Sequence, residues 1–200
     1  MRRVKKNKPI TIAIQGIAGS YSHQAAEKLA KIRGWSKVKL IYCSSFSQAF
    51  AQLNQEKADF AVLPYKNSLV GEIKPVASQI ENYQLVARLS LPINHVLATV
   101  KTKPSPKLSQ VEYVYSHPVA LAQCQKLFRR YPWLKKVEYE DTAAAARLVA
   151  KKGDPQNAAI CSSLAVRLFR LYPLKREIQD HPRNFTSFAL LKLLPDPGSV

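Results

Sequence analysis

The sequence predicts an α/β protein folded as two lobes, on three observations. Short β-rich runs alternate with helical stretches along all 200 residues, the pattern of mostly parallel sheets. The strand–helix series runs once up to about residue 95 and recurs beyond it, which places a cleft between two lobes. Apolar residues make up 46% and charged residues 22% of the chain, a globular composition in a chain long enough to bury a core.

Ile10–Gln15 reads as a buried strand and Gly16-Ile17-Ala18-Gly19 as the loop after it. From Ser22 to Ile32 the apolar positions Ala25, Ala26, Leu29 and Ile32 share one helical face. Val38–Tyr42 is a strand, Ser45–Asn54 a helix and Phe60–Pro64 another strand, while Gln84–Ser90 and His95–Val100 read as extended on either side of Pro92. Lys101–Lys107, with Pro104 and Pro106, is a surface loop. The series then repeats: strand Val111–Tyr115, helix Pro118–Arg130 with proline in its first turn, strand Val137–Glu140, helix Thr142–Lys151, strand Ala158–Cys161, helix Ser162–Leu171 and a final strand Phe185–Leu194.

Charge and motif content exclude several classes. Lys and Arg number 31 against 13 Asp and Glu, a net charge of +18, and Arg2, Arg3, Lys5, Lys6 and Lys8 crowd the first eight residues. A field of this sign attracts anions without choosing among them. No apolar run approaches the ~18 residues of a membrane span, and the run after Pro9 is too short for a secretion signal. Cys43, Cys124 and Cys161 are odd in number and far apart, and His23, His95, His117 and His181 lack metal-ligand spacing. A reduced, cytoplasmic protein without metal or cofactor, away from membranes, is the expectation.

Four strand-to-helix junctions carry small hydroxyl or amide residues: Gly19-Ser20-Tyr21-Ser22, Asn67-Ser68 with Gly71, Ser116 before Pro118, and Asp141-Thr142. Unpaired backbone N–H groups at such junctions suit a small polyanion, and the same residue types serve as ordinary helix caps. In Asn184-Phe185-Thr186-Ser187-Phe188, polar residues interrupt an apolar strand. Phe128-Arg129-Arg130 and Arg167–Arg170, near Tyr131, Trp133 and Tyr172, have the composition of a nucleic-acid surface, but no zinc-finger, KH or RNP signature accompanies them. Nucleic acid is therefore not the expected partner.

Blocks in one fixed order then carry a resemblance over nearly the whole chain. They are Gly16-x-x-Gly19-Ser20-Tyr21-Ser22-His23-x-Ala25-Ala26, Pro64-x-x-Asn67-Ser68-x-x-Gly71, Pro92-Ile93-x-His95, Tyr115-Ser116-His117-Pro118-x-Ala120-Leu121-Ala122-Gln123-Cys124, Thr142-Ala143-x-Ala145-Ala146, Ala159-Ile160-Cys161-Ser162, Ile178-x-Asp180 and Asn184-x-Thr186-x-Phe188. Together they resemble the prephenate dehydratase catalytic domain. The resemblance implies two α/β lobes like those of type 2 periplasmic binding proteins, with prephenate, a dicarboxylate, as the small-molecule ligand in the cleft. It implies a first lobe over residues 1–91 completed by 184–200, a second over 92–183, and a homodimer or larger assembly. Six residues follow the last strand, so no ACT regulatory domain is expected.

The departures from the family pattern matter as much. The family's Thr-Arg-Phe stands here as Thr186-Ser187-Phe188, and its Glu-Asn-Ser as Lys66-Asn67-Ser68. Losing a guanidinium removes a two-pronged carboxylate ligand. These changes resemble those of the prephenate decarboxylases of secondary-metabolite pathways, which release CO2, keep the ring hydroxyl and leave a dihydro-4-hydroxyphenylpyruvate. Non-aromatising decarboxylation is the expected reaction. The alternative is a prephenate or arogenate dehydratase, followed by a non-catalytic binding relative. The resemblance assigns Thr186 as the catalytic hydroxyl at the substrate's ring end. Ser20, Asn67, Ser68, Ser116 and Thr142 are expected to hold carboxylates or the keto group, with Ser187 and Phe188 beside them and Lys66 supplying a cation in place of the missing arginine.

Overall fold

The computed structural model describes residues 8–195, so Arg2, Arg3, Lys5 and Lys6 of the basic cluster lie outside the described residues. The chain divides into two units. One comprises the chain up to Gly16, Ser22–Leu91 and the chain from Phe185; the other comprises Ile17–Tyr21 and Pro92–Asn184.

The first unit is built from β1 (Ile10–Gln15), α1 (Tyr21–Ile32), β2 (Val38–Cys43), α2 (Phe46–Asn54), β3 (Phe60–Asn67), β4 (Gly71–Glu72), α3 (Lys74–Ala77) and β5 (Gln84–Pro92). The second holds β6 (Val96–Thr99), β7 (Tyr113–Ser116), α4 (Pro118–Ala122), α5 (Gln125–Arg130), β8 (Lys135–Glu138), α6 (Thr142–Lys152), β9 (Asn157–Cys161), α7 (Ser163–Leu168) and β10 (Tyr172–Lys175). The chain ends in β11 (Phe185–Lys192), which enters the first unit's sheet between β3 and β5 in the order β2-β1-β3-β11-β5, with β4 beside β3. The second sheet runs β10-β6-β9-β7-β8.

The fold class is α/β, and both sheets are mixed rather than mostly parallel. Strands joined by helical crossovers, β1 with β2 and β3 and β7 with β8 and β9, pair parallel. Strands that return from elsewhere in the chain, β11 on β3 and β6 between β9 and β10, pair antiparallel.

Burial explains why the central strands read as continuous apolar runs. Ile12, Ala13 and Ile14 of β1 have no exposed surface, as expected of a strand covered on both faces. The first unit's core gathers Phe50, Leu53, Leu63 and Tyr83 with Ala189 and Leu191 of the last strand. In the second unit, alternate residues of β6 and β9 serve two cores. Ala98, Ala159 and Cys161 meet Ala145, Ala146 and Val149 of α6 on one face, while Leu97 and Ile160 meet Leu121, Leu127 and Phe128 on the other. Alanines on α6 let that helix approach its sheet closely.

Several elements differ from the sequence expectation, each for a non-local reason. The helix expected over Pro118–Arg130 is two helices, because Asp180 reaches back to cap the second: its carboxylate accepts from the N–H groups of Gln125 at 2.7 Å and Lys126 at 2.8 Å. Strand β8 starts two residues before the expected Val137 and ends two before Glu140, following its parallel partner β7. Residues Ile17–Tyr21 group with the second unit rather than with 1–91: Ser162 Oγ donates to the Gly19 carbonyl at 2.6 Å, and Ile17 packs on the second unit's core.

Gly19 is the residue that permits this anchoring. Its φ of +93° lies where side-chain-bearing residues are strained, and a Cβ there would stand 3.0 Å from the Ala165 Cα. Gly19→Ala is therefore expected to cost about 1–3 kcal/mol. A thermal melt followed by circular dichroism should show a drop of several degrees, and an unchanged Tm would remove this constraint.

Candidate active site

The sequence-predicted residues fall into two groups, one in each unit. In the first unit, the antiparallel pairing of β3 with β11 sets Asn67 opposite Thr186 and Lys66 opposite Ser187. The register then shifts between Ser187 and Phe188, which lies opposite Pro64, leaving Tyr65 as the extra residue of a bulge. Four of the expected residues, Lys66, Asn67, Thr186 and Ser187, thus meet at one end of two paired strands, and Ser68 follows directly.

Asn67 organises this group. Its Oδ1 accepts from the N–H groups of Leu69 at 2.9 Å and Val70 at 3.1 Å, closing the turn into β4. Gly71, with φ +84°, completes that turn. The oxygen being used, the amide nitrogen points the other way and donates to the Phe185 carbonyl at 3.1 Å and to Thr186 Oγ1 at 3.0 Å. Thr186 is buried, and among the described residues no acceptor engages its hydroxyl hydrogen. Ser68 ties the same strand ends: its Oγ accepts from Phe185 N and its N–H donates to the Phe185 carbonyl, both at 2.9 Å. Lys66 is exposed, flanked across the sheet by Ser187 on β11 and Glu72 on β4. Phe188 is a core residue, 1% exposed.

In the second unit, one of the three expected ligands, Ser116, has its hydroxyl hydrogen taken by the fold. Ser116 has no exposed surface, and its single hydroxyl hydrogen goes to the Ile160 carbonyl at 2.7 Å, tying β7 to β9. It has no hydrogen left to donate to a carboxylate. At the Asp141-Thr142 junction the Asp141 carboxylate itself accepts from the N–H groups of Ala143 and Ala144, each at 2.7 Å. That helix end is already neutralised by an anion, and Thr142 follows the cap as the first helical residue. Ser20 sits directly before α1, buried, in the glycine-framed loop that Ser162 anchors.

A buried network in this unit was not assigned from sequence. The Tyr21 hydroxyl donates to the Asn94 carbonyl at 3.0 Å and lies 3.1 Å from His95 Nδ1. His95 Nε2 lies 3.1 Å from Gln123 Oε1, which also accepts from Asn184 Nδ2 at 2.9 Å. An amide oxygen only accepts, so Nε2 carries the imidazole proton and Nδ1 is unprotonated, with the one Tyr21 hydroxyl hydrogen shared between it and the Asn94 carbonyl. Tyr21, His95 and Asn184 stand within a few residues of points where the chain passes from one unit to the other. The signal was present as Gln123 after the alanine-rich turn and Asn184 before Thr186, but its meaning depends on contacts across 61 residues.

Four buried titratable groups of this unit, Tyr21, His95, Cys124 and Cys161, are biased toward their neutral forms. Burial pushes the thiols of Cys124 and Cys161 up to about 12, for Cys124 with help from Asp180, and lifts the Tyr21 phenol well above its ordinary value. These thiols are packing groups and not nucleophiles. Burial lowers His95, partly opposed by the Gln123 hydrogen bond. A shallow groove of about 570 Å³, lined by His23, Lys31, Trp35 and Tyr42 among others, lies against the edge strand β2 and includes none of the sequence-predicted site residues.

The His95 shift has a measurable sign. Its folded value lies below the ordinary ~6.5, so the unfolded chain takes up more protons in that window and stability falls as pH drops through it. The loss should be about 1.4 kcal/mol for each unit separating the two values. Melting curves between pH 8 and 5 should fall more steeply for the wild type than for His95→Gln; parallel curves would refute the assignment.

Comparison with known proteins follows the same residues. The family model described as prephenate dehydratase matches residues 12–194. A bifunctional chorismate mutase/prephenate dehydratase of Enterobacter agglomerans is 37% identical over 185 residues, covering 90% of this chain and 46% of that protein. Arogenate dehydratase 2 of Petunia hybrida is 32% identical over 194 residues, covering 93% and 45% respectively. The chain thus spans about half the length of the curated relatives it matches. A prephenate dehydratase of Arthrobacter aurescens, solved in complex with L-Phe, superposes with a TM-score of 0.81 at 26% identity over 94% of this chain and 61% of that one. With the Asn67–Thr186 pair and the matched blocks, this places the chain in the prephenate dehydratase family.

Proposed function

We propose that this chain is a carbon lyase acting on prephenate or arogenate, releasing CO2 together with the ring hydroxyl to leave an aromatic product. One observation carries the reading: Thr186 Oγ1 accepts from the Asn67 amide at 3.0 Å, and among the described residues no acceptor takes its own hydrogen, which leaves it free for a ligand. In the reaction the bond between the ring and its carboxylate breaks, and the electron pair enters the ring. The bond from C4 to the hydroxyl oxygen breaks in turn, and the oxygen leaves as water after taking a proton. Thr186 is too weak an acid to supply that proton outright. Its part is an oriented hydrogen bond to the oxygen on which charge develops, already in place before the bond breaks. The dehydratase names of the relatives support the same reading.

The expectation from sequence alone, decarboxylation without loss of the hydroxyl, rests on a different observation. Ser187 and Lys66 face each other across the strand pair where the family pattern has arginine and glutamate. In that reaction the same carbon–carbon bond breaks, but the electron pair ends on a ring carbon that takes a proton, and the hydroxyl stays. The intact Asn67–Thr186 pair favours dehydration over it.

Purified protein incubated with prephenate, with CO2 and product absorbance followed together, separates the readings. CO2 with phenylpyruvate is the expected result. CO2 without an aromatic product would replace dehydration by decarboxylation, and no CO2 from prephenate or, in a parallel incubation, from arogenate would overturn the lyase reading. Thr186→Ala should lower kcat on the order of 10²-fold with KM nearly unchanged, while Thr186→Ser keeps most of the rate. An unaltered kcat in the alanine variant would remove Thr186 from the mechanism.

A further inference from the structure

The second unit carries a face that the lyase chemistry does not use. Over residues 125–136, Lys126, Arg129, Arg130, Lys135 and Lys136 stand without a single acid between them. The fold holds several of these cations in place. Lys136 Nζ donates to Gln125 Oε1 at 2.7 Å and sits 4.7 Å from the Phe128 ring centre. The Tyr131 ring has the Arg130 guanidinium 5.8 Å away and, from β10, Lys175 Nζ 5.3 Å away. Trp133 meets that tyrosine edge-on at 5.3 Å, yet 47% of its surface stays in solvent. Arg176, next to Lys175, is exposed as well.

Lysines on an edge strand such as β8 also discourage sheet-to-sheet pairing, which accounts for Lys135 and Lys136. It does not account for a half-exposed indole among cations from two elements. Exposed aromatic rings beside fixed cations are what unpaired bases and their phosphates require: rings stack on bases, and cations track the backbone. We propose that the Arg130–Tyr131–Trp133–Lys175 face binds single-stranded nucleic acid, with Trp133 as the stacking platform.

A fluorescein-labelled dT12 oligonucleotide, titrated by anisotropy from 50 to 200 mM salt, tests this. Trp133→Ala should weaken binding about tenfold, and Arg130→Ala/Lys175→Ala should flatten the slope of log K against log salt by about 0.7 per cation removed. Circular dichroism melts confirm that the variants are folded. Arg33→Ala, on the first unit, should change neither quantity by comparable amounts. The proposal is overturned by no binding at 50 mM salt, by a Trp133 variant that binds normally, or by an equal effect of Arg33→Ala. A duplex of the same length that binds as tightly would also overturn it. A polyglutamate peptide of equal charge that displaces the oligonucleotide equally well would overturn it in favour of an acidic protein partner.

Discussion

The pairing of β11 with β3 is the constraint on which the first unit depends. The chain leaves this unit after Leu91, builds the second, and returns at Phe185 to fill the gap between β3 and β5. Until it returns, the sheet lacks an internal strand and the core lacks Ala189 and Leu191. The same register sets Thr186 against Asn67, 119 residues away in sequence. A slip of one residue would turn Thr186 to the opposite face and carry Leu190 and Leu191 with it, so the cost of losing the apolar core enforces the geometry of the polar end. The bulge beyond Ser187 separates the two tasks. Before it the strand presents polar residues; after it every residue through Leu191 is buried.

The exchanges at Lys66 and Ser187 make sense within that register. Side chains directly opposite each other in antiparallel strands interact, so the family pattern's glutamate and arginine at these positions form a complementary pair. Lysine opposite serine keeps a cation at this end of the sheet but moves it from the last strand to β3, where Glu72 on β4 flanks it. Like-charge conflict is avoided, yet the fork geometry of a guanidinium is gone, and an ammonium offers a point charge in its place. The loss falls on recognition of a carboxylate. Thr186 and Asn67, and the hydrogen bond between them, keep the family pattern.

Local periodicity made the parallel strands and their crossover helices legible: β1, α1, β2 and α2 follow from their own residues, and their bounds differ from expectation by a residue or so. What escaped was set by distant partners. The break between α4 and α5 needs Asp180, and β10 exists because β6 offers it an edge. Ser116 and Thr142 illustrate the limit for the site. A hydroxyl at a helix start has the same appearance in sequence whether it waits for a ligand or closes a strand; for Ser116 the Ile160 carbonyl takes its hydrogen, and at Thr142 the cap comes from the neighbouring Asp141 carboxylate. Asn67 and Thr186 were legible as motif positions, whereas the way one holds the other was not.

The buried thiols of Cys124 and Cys161, the Tyr21 phenol and the His95 imidazole are biased toward their neutral forms by burial, so the thiols and the phenol are not ready nucleophiles and the imidazole is a weakened base. A reaction begun by proton abstraction would be poorly served here. Loss of CO2 needs no base, because the breaking carbon–carbon bond supplies its own electron pair. What remains is to ease the oxygen's departure, and a threonine hydroxyl held in a fixed direction can do that without changing its protonation state. In the first unit the Asn67–Thr186 hydrogen bond is such a device, and it suits the proposed reaction, whose driving force lies in the substrate.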